Sequence, residues 1–123
     1  ENKLAGPKID YYSDKQYAIV TGGGQLTMPE NTMTANQIES YFAEDRAVAT
    51  GNVHIVSPVR KLDAVSDQAV YYGNKDQQGK TVLTGNVRTV QEGNVLTGNL
   101  MTLYLDQKTI NVEGRSKLVI IPQ

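Results

Sequence analysis

Apolar and polar residues alternate with period two through four glycine-anchored stretches. These are YAIVTGGGQLTM (17–28), RAVATGNVHIV (46–56), KTVLTGNVRTV (80–90) and INVEGRSKLVI (110–120). Two residues before the anchors Gly22, Gly51, Gly85 and Gly114 stand Val20, Ala49, Leu83 and Val112. One residue before stand Thr21, Thr50, Thr84 and Glu113. Beyond the anchors, the second position holds Gly24, Val53, Val87 and Ser116, and the fourth holds Leu26, Ile55, Thr89 and Leu118. Between them lie the polar Gln25, His54, Arg88 and Lys117. Side chains of a strand alternate faces, so even offsets predict an inner face and odd offsets an outer one. Five residues on, Thr27, Val56, Val90 and Val119 weaken the pattern. Either a bulge or a strand covered on both faces accounts for them.

The anchors recur at spacings of 29, 34 and 29 residues. A period near 30 suits a stacked unit and is too short for a separate domain. Each anchor is followed by a weaker second block, at 33–45, 62–76 and 95–108, in which Ile38, Ala69 and Leu100 fall in a shared inward slot. Residues 4–15 read as the second block of a unit whose first half is missing or lies upstream. Residues 35–45 are the best helical candidate, but the same slot elsewhere reads AVYYG and MTLYL, which predicts strand. Turns are expected at Pro29–Asn31, Ser57-Pro58, Glu92–Asn94 and between Gly73 and Gly79. Gly51-Asn52 and Gly85-Asn86 read as corners, because both residue types tolerate left-handed backbone.

Val, Ile, Thr and Tyr make up 38 of 123 residues, which favours pleated structure over helix. With one Phe and no Trp, the core must be aliphatic. The net charge of −1 provides no general attraction to nucleic acid or an anionic membrane. Without Cys there is no disulfide or thiolate metal site, and a lone His54 cannot build the usual multi-His centre. The chain opens at Glu1 without a signal-type segment and reads as a mature or trimmed polypeptide.

The segments TVLTGNV (81–87), ATGNV (49–53), LTGNLMTLYL (96–105) and the tail RSKLVIIPQ (115–123) resemble the OstA-like domain of the LptA, LptC and LptD proteins. Gly22-Gly23-Gly24 and Gly114-Arg115-Ser116 depart from its Gly-Asn-Val pattern, as terminal repeats of an array often do. The resemblance implies an all-β fold, an elongated twisted antiparallel β-jellyroll open at its ends, with 1–123 as one domain. It also implies a non-enzymatic periplasmic protein without cofactor, which binds lipopolysaccharide by its acyl chains and carries or bridges it to the outer membrane. Implied partners are LptC-like and LptD-like jellyrolls joined by edge-strand addition, and a head-to-tail homo-oligomer; nucleic acid is not among them.

The expected groove lining is Leu26, Ile38, Val53, Ile55 and Leu83, with Val87, Leu100, Val112, Leu118 and Ile120. The same residues equally suit an ordinary dry core. One alternative is an LptC-like or LptD-like domain of a larger chain. Another is a β-solenoid that binds or cleaves polysaccharide, which would need aromatics and carboxylates along one outer face. Glu44-Asp45 and Asp63 with Asp67 are carboxylate pairs, but they lie in polar stretches and do not repeat. His54 reads as a solvated surface residue. Tyr11-Tyr12 and Tyr71-Tyr72 each place one ring on either face.

Overall fold

The computed structural model describes residues 2–73, 79–104 and 110–120. Among the described residues, ten strands form one antiparallel sheet. Six are long: β3 (Tyr17–Thr27), β4 (Thr32–Tyr41), β5 (Arg46–Ser57), β6 (Leu62–Tyr72), β7 (Lys80–Gln91) and β8 (Asn94–Tyr104). They pair in chain order, each with the next. At one edge, β1 (Lys3–Ala5) and β2 (Lys8–Tyr12) share the flank of β3; at the other, β9 (Ile110–Glu113) and β10 (Lys117–Val119) share the flank of β8. Of 35–45, the segment to Tyr41 is strand, as the repeat comparison indicated, but Phe42–Glu44 forms a 3₁₀ turn that it did not. The expected turn between Gly73 and Gly79 falls mostly on 74–78, outside the described residues, as do 105–109 and 121–123.

Every long pairing slips register near its middle. The slips fall at Thr21/Gly24, Thr34/Gln37, Thr50/Val53, Val65/Gln68 and Thr84/Val87. The anchor glycines are these corners: Gly51 and Gly85 have φ of +82° and +85°, and Asn52 and Asn86 follow at +50° and +48°. A bulge bends its strand and increases the twist. A line of bulges across six strands therefore folds the sheet into two layers. The layers meet at their far ends, where the Arg60 guanidinium in the β5–β6 loop donates to the carbonyl of Tyr104 at the end of β8. The bulges lie at the anchors themselves; beyond them the pairing is regular, so Thr27, Val56 and Val90 face outward and neither explanation for the weakened alternation accounts for them.

Inner faces of the two layers make the core. One row on the first layer runs Val20, Ile38, Ala49, Ala69, Leu83, Met101, of which none is more than 0% exposed. The expectation for Leu100 is corrected here. Met101 pairs with Leu83 in the inward row, whereas Leu100 pairs with Thr84 on the outer face and is only half-buried. The repeat is uneven: Asn36, Asp67 and Asn99 sit at its even-strand corners, 31 and then 32 residues apart. A constant step of 31 therefore lands one residue early, and in a strand one residue reverses the face.

Candidate functional site

The site candidate is the space between the layers. Its second-layer row runs from edge to edge through Leu4, Leu26, Met33, Ile55, Ala64, Thr89, Leu96 and Leu118, one residue from each strand it crosses. Nearer the corner, Val53 lies opposite Ser66 and Val87 opposite Gly98. Leu26, Ile38, Val53, Ile55, Leu83 and Val87 are all buried in one cluster, and Val112 packs against it half-buried. Leu118 faces inward at the sheet edge and is 57% exposed, while Ile120 lies beyond β10 at 68%. So the structure brings seven of the ten expected residues together, leaves Leu118 at the rim and places Leu100 and Ile120 elsewhere.

The interior is closed at its centre and open at its margins. Inward-facing residues at the edges remain in solvent: Ile9 at 45% and Tyr11 at 62% on β2, and Leu118 on β10. A cavity of about 330 Å³ opens at one end between Leu4 and Leu26 of the second layer and Ala47 and Tyr71 of the first. Tyr41, Asp45 and Arg46 form its rim. A second recess, about 240 Å³, lies at the other edge among Leu96, Ile110 and Leu118. Small residues thin the middle of the interior: Ala47, Ala49, Ala64 and Ala69 come from the adjoining strands β5 and β6.

Polar groups inside are few and partnered. The Thr89 hydroxyl donates to the Met101 sulfur at 2.8 Å. Ser66 donates to the carbonyl of Gln68, and no buried side-chain N or O among the described residues lacks a partner. At the rim, burial and the neighbouring Asp45 carboxylate push the Tyr71 phenol above its usual value. The site offers apolar surface and almost no directional chemistry, which suits hydrocarbon.

Outside the interior, three of the four carboxylates singled out in the sequence are engaged. Asp63 meets His54 Nε2 at 2.8 Å, Asp67 accepts from Asn86 Nδ2 at 2.9 Å, and Glu44 pairs with Arg46 at 3.4 Å. Among the described residues, no cluster of three or more His, Asp and Glu could hold a metal ion. None of their helices is long and apolar enough to cross a membrane. Sequence reasoning missed Met33 and Met101, both fully buried. The Asx residue at each even-strand corner is the signal that would have placed Met101.

No family model matches the chain, and no curated protein matches it. Among solved structures, it is similar to LptH of Pseudomonas aeruginosa, described as the LptA-homologous periplasmic component of the conserved lipopolysaccharide transport device. The two superpose with a TM-score of 0.87 at 16% identity, over 99% of this chain and 96% of that one. The corner glycines, the single open sheet and this superposition agree: the chain has the LptA-type fold, an antiparallel β-jellyroll built from repeated strand pairs.

Proposed function

We propose that this chain is a single jellyroll unit that takes the acyl chains of lipopolysaccharide between its layers and passes them across the periplasm. The observation that carries the reading is the inner row from Leu4 to Leu118, apolar but for Thr89, which ends half-buried beside a cavity at Leu4 and 57% exposed at Leu118. Hydrocarbon in water costs about 0.8 kcal/mol per CH₂, so a tail of about a dozen carbons faces roughly 10 kcal/mol without cover. A track of aliphatic side chains lowers that cost equally at each step and traps nothing. Ile55 and Val87 are 3% and 2% exposed in the closed state, so entry requires the layers to part. The alanines of β5 and β6 leave cross-section for a tail once they do.

The same edges suit strand addition. An edge strand presents unpaired N–H and C=O groups, and natural monomers blunt such edges with charge or proline. On β10 and just beyond it, Leu118, Val119 and Ile120 are exposed, and Lys117 is the strand's one charge. In this reading the C-terminal edge joins the N-terminal edge of another jellyroll, a second copy or an LptC-like or LptD-like domain. A row continuous across the joint would extend the track. The reading involves no chemistry on the cargo and no cofactor.

Native mass spectrometry after incubation with lipopolysaccharide tests the lipid reading. Intact lipopolysaccharide should give a one-to-one adduct, and fully deacylated lipopolysaccharide should give none by the interior route. Equal adducts from both would remove the acyl chain from the account.

A further inference from the structure

On the outer face of the first layer, the strand-end positions form one cross-strand row. Tyr12 pairs with Tyr17, Tyr17 with Tyr41, and Tyr41 with Arg46. Arg46 then pairs with Tyr72, Tyr72 with Lys80, and Lys80 with Tyr104. Seven adjacent strands thus each contribute a tyrosine or a cation and nothing else. The rest of that face differs: the row nearest the corner carries Thr21, Gln37, Thr50, Gln68 and Thr84.

The rings are ordered. Tyr12 stacks on Tyr17 at 5.9 Å, and Tyr17 lies 5.1 Å from Tyr41. Both the Tyr17 and Tyr41 hydroxyls donate to Glu39 Oε2, at 2.7 and 3.1 Å. The cations lie over the rings: Arg46 over Tyr41 at 4.1 Å, Lys80 over Tyr72 at 5.6 Å and Lys15 over Tyr12 at 5.7 Å. Among the described residues Lys15 and Lys80 form no ion pair. Cross-strand tyrosine pairing alone would stabilise the sheet. It does not require that two cations interrupt the row, Arg46 beside its Glu44 partner and Lys80 with no carboxylate partner among the described residues.

We propose that this row binds an acidic oligosaccharide carrying an anionic group on about every second sugar. Tyrosine offers a flat face for a sugar ring and a hydroxyl at its tip. Neighbouring strands lie about 4.8 Å apart, close to the length of one pyranose along a chain, and Arg46 and Lys80, two strands apart, repeat at roughly 10 Å. The charge spacing selects the ligand. Each strand of a nucleic-acid duplex places a charge about every 3.4 Å, and an anionic bilayer presents a continuous negative surface. Glu39, Glu44 and Asp45 beside the row oppose both, while a sparsely charged glycan can set its anions on the cations alone. The inference goes beyond the acyl-chain reading and does not depend on it, since the ligand needs no lipid.

The probe is a hyaluronan octasaccharide, which has one carboxylate per disaccharide and no acyl chain. The chain has seven tyrosines and no tryptophan, and five of the seven lie in the row, so tyrosine emission reports occupancy. Saturable quenching is expected, with affinity at least about tenfold weaker for neutral chito-octaose and for Lys80→Gln, one charge-assisted contact each. Arg46→Gln should act alike, and thermal unfolding shows which variants remain folded; the half-buried Lys80→Gln decides if Arg46→Gln does not fold. Absence of saturable quenching at millimolar octasaccharide would overturn the proposal. So would wild-type affinity in Lys80→Gln, or tighter binding of an oligothymidylate octamer or of phosphatidylglycerol vesicles. Failure here leaves lipopolysaccharide adducts untouched, and failure of those adducts leaves this titration valid.

Discussion

The Thr89 hydroxyl donates to the Met101 sulfur across 2.8 Å, joining the second-layer half of one strand to the first-layer half of its neighbour. It is one of the few polar bonds inside a mostly aliphatic interior. A thioether is a weak acceptor, so its loss should matter little while the shape is kept. Thr89→Val is expected to change stability by no more than about 1 kcal/mol in urea unfolding. Met101→Ala removes a fully buried side chain and should cost about 2–5 kcal/mol. A larger effect for Thr89→Val than for Met101→Ala would contradict this view of the seam.

The corner glycines should resist substitution for a backbone reason. Gly51 has φ +82°, and a Cβ there would lie 2.6 Å from Asn36 Nδ2. Since the amide tip can swing away, the lasting cost is conformational, about 1–3 kcal/mol for Gly51→Ala. Removing the neighbour as well, in Gly51→Ala with Asn36→Ala, should recover only a minor part of the loss. Full recovery in chemical denaturation would show that contact, not φ, governs the corner.

Gly98 illustrates how one motif serves two purposes. Thr-Gly-Asn occurs at Thr50–Asn52, Thr84–Asn86 and Thr97–Asn99, yet only Gly51 and Gly85 are left-handed. Gly98 is buried, and a Cβ on it would meet Val112 Cγ1 at 2.5 Å. Gly98→Ala should therefore be destabilising by about 1–3 kcal/mol through overpacking, and Gly98→Ala with Val112→Ala should recover most of that. This rescue is the opposite of the outcome expected at Gly51.

Alkaline pH should weaken the fold. Burial, then the hydrogen bond to Glu39, raises the Tyr17 phenol above its ordinary value, and Tyr41 shifts the same way for the same reasons. Above about pH 10 the unfolded chain releases these protons while the folded chain holds them. The unfolded state then binds fewer protons, so stability present below pH 10 falls as pH rises further. Urea midpoints measured from pH 8 to 11 should decline, and less steeply in Tyr17→Phe. A midpoint unchanged to pH 11 would contradict the assignment.

Self-assembly should depend on the exposed C-terminal edge. Leu118→Lys with Ile120→Lys puts charge where Leu118 and Ile120 are 57% and 68% exposed. Sedimentation should show loss of any concentration-dependent oligomer with little change in thermal midpoint. Oligomers that persist in this variant would place the contact elsewhere.

Much of the architecture was legible because it repeats. The offsets around Gly51 and Gly85 set the inner face of the odd strands, and burial of Val53, Ile55, Leu83 and Val87 follows that count. The even strands were harder to read. Their corners use Asn36, Asp67 and Asn99 in place of a recurring Gly-Asn, and loops of unequal length shift the register, so Leu100 was counted in place of Met101. Ile120 could not be placed by alternation because the strand stops at Val119. The tyrosine–cation row was hidden for another reason. Its members are scattered along the chain, from position 12 to 104, and only pairing register brings them into line.

The central claim, that the inner face receives acyl chains, is tested most directly by photo-crosslinking from both faces of one layer. A crosslinking amino acid at Ile55 or Val87 should capture lipopolysaccharide, and one at the outward Arg88 should not. Capture from Arg88 with none from Ile55 and Val87 would contradict the claim.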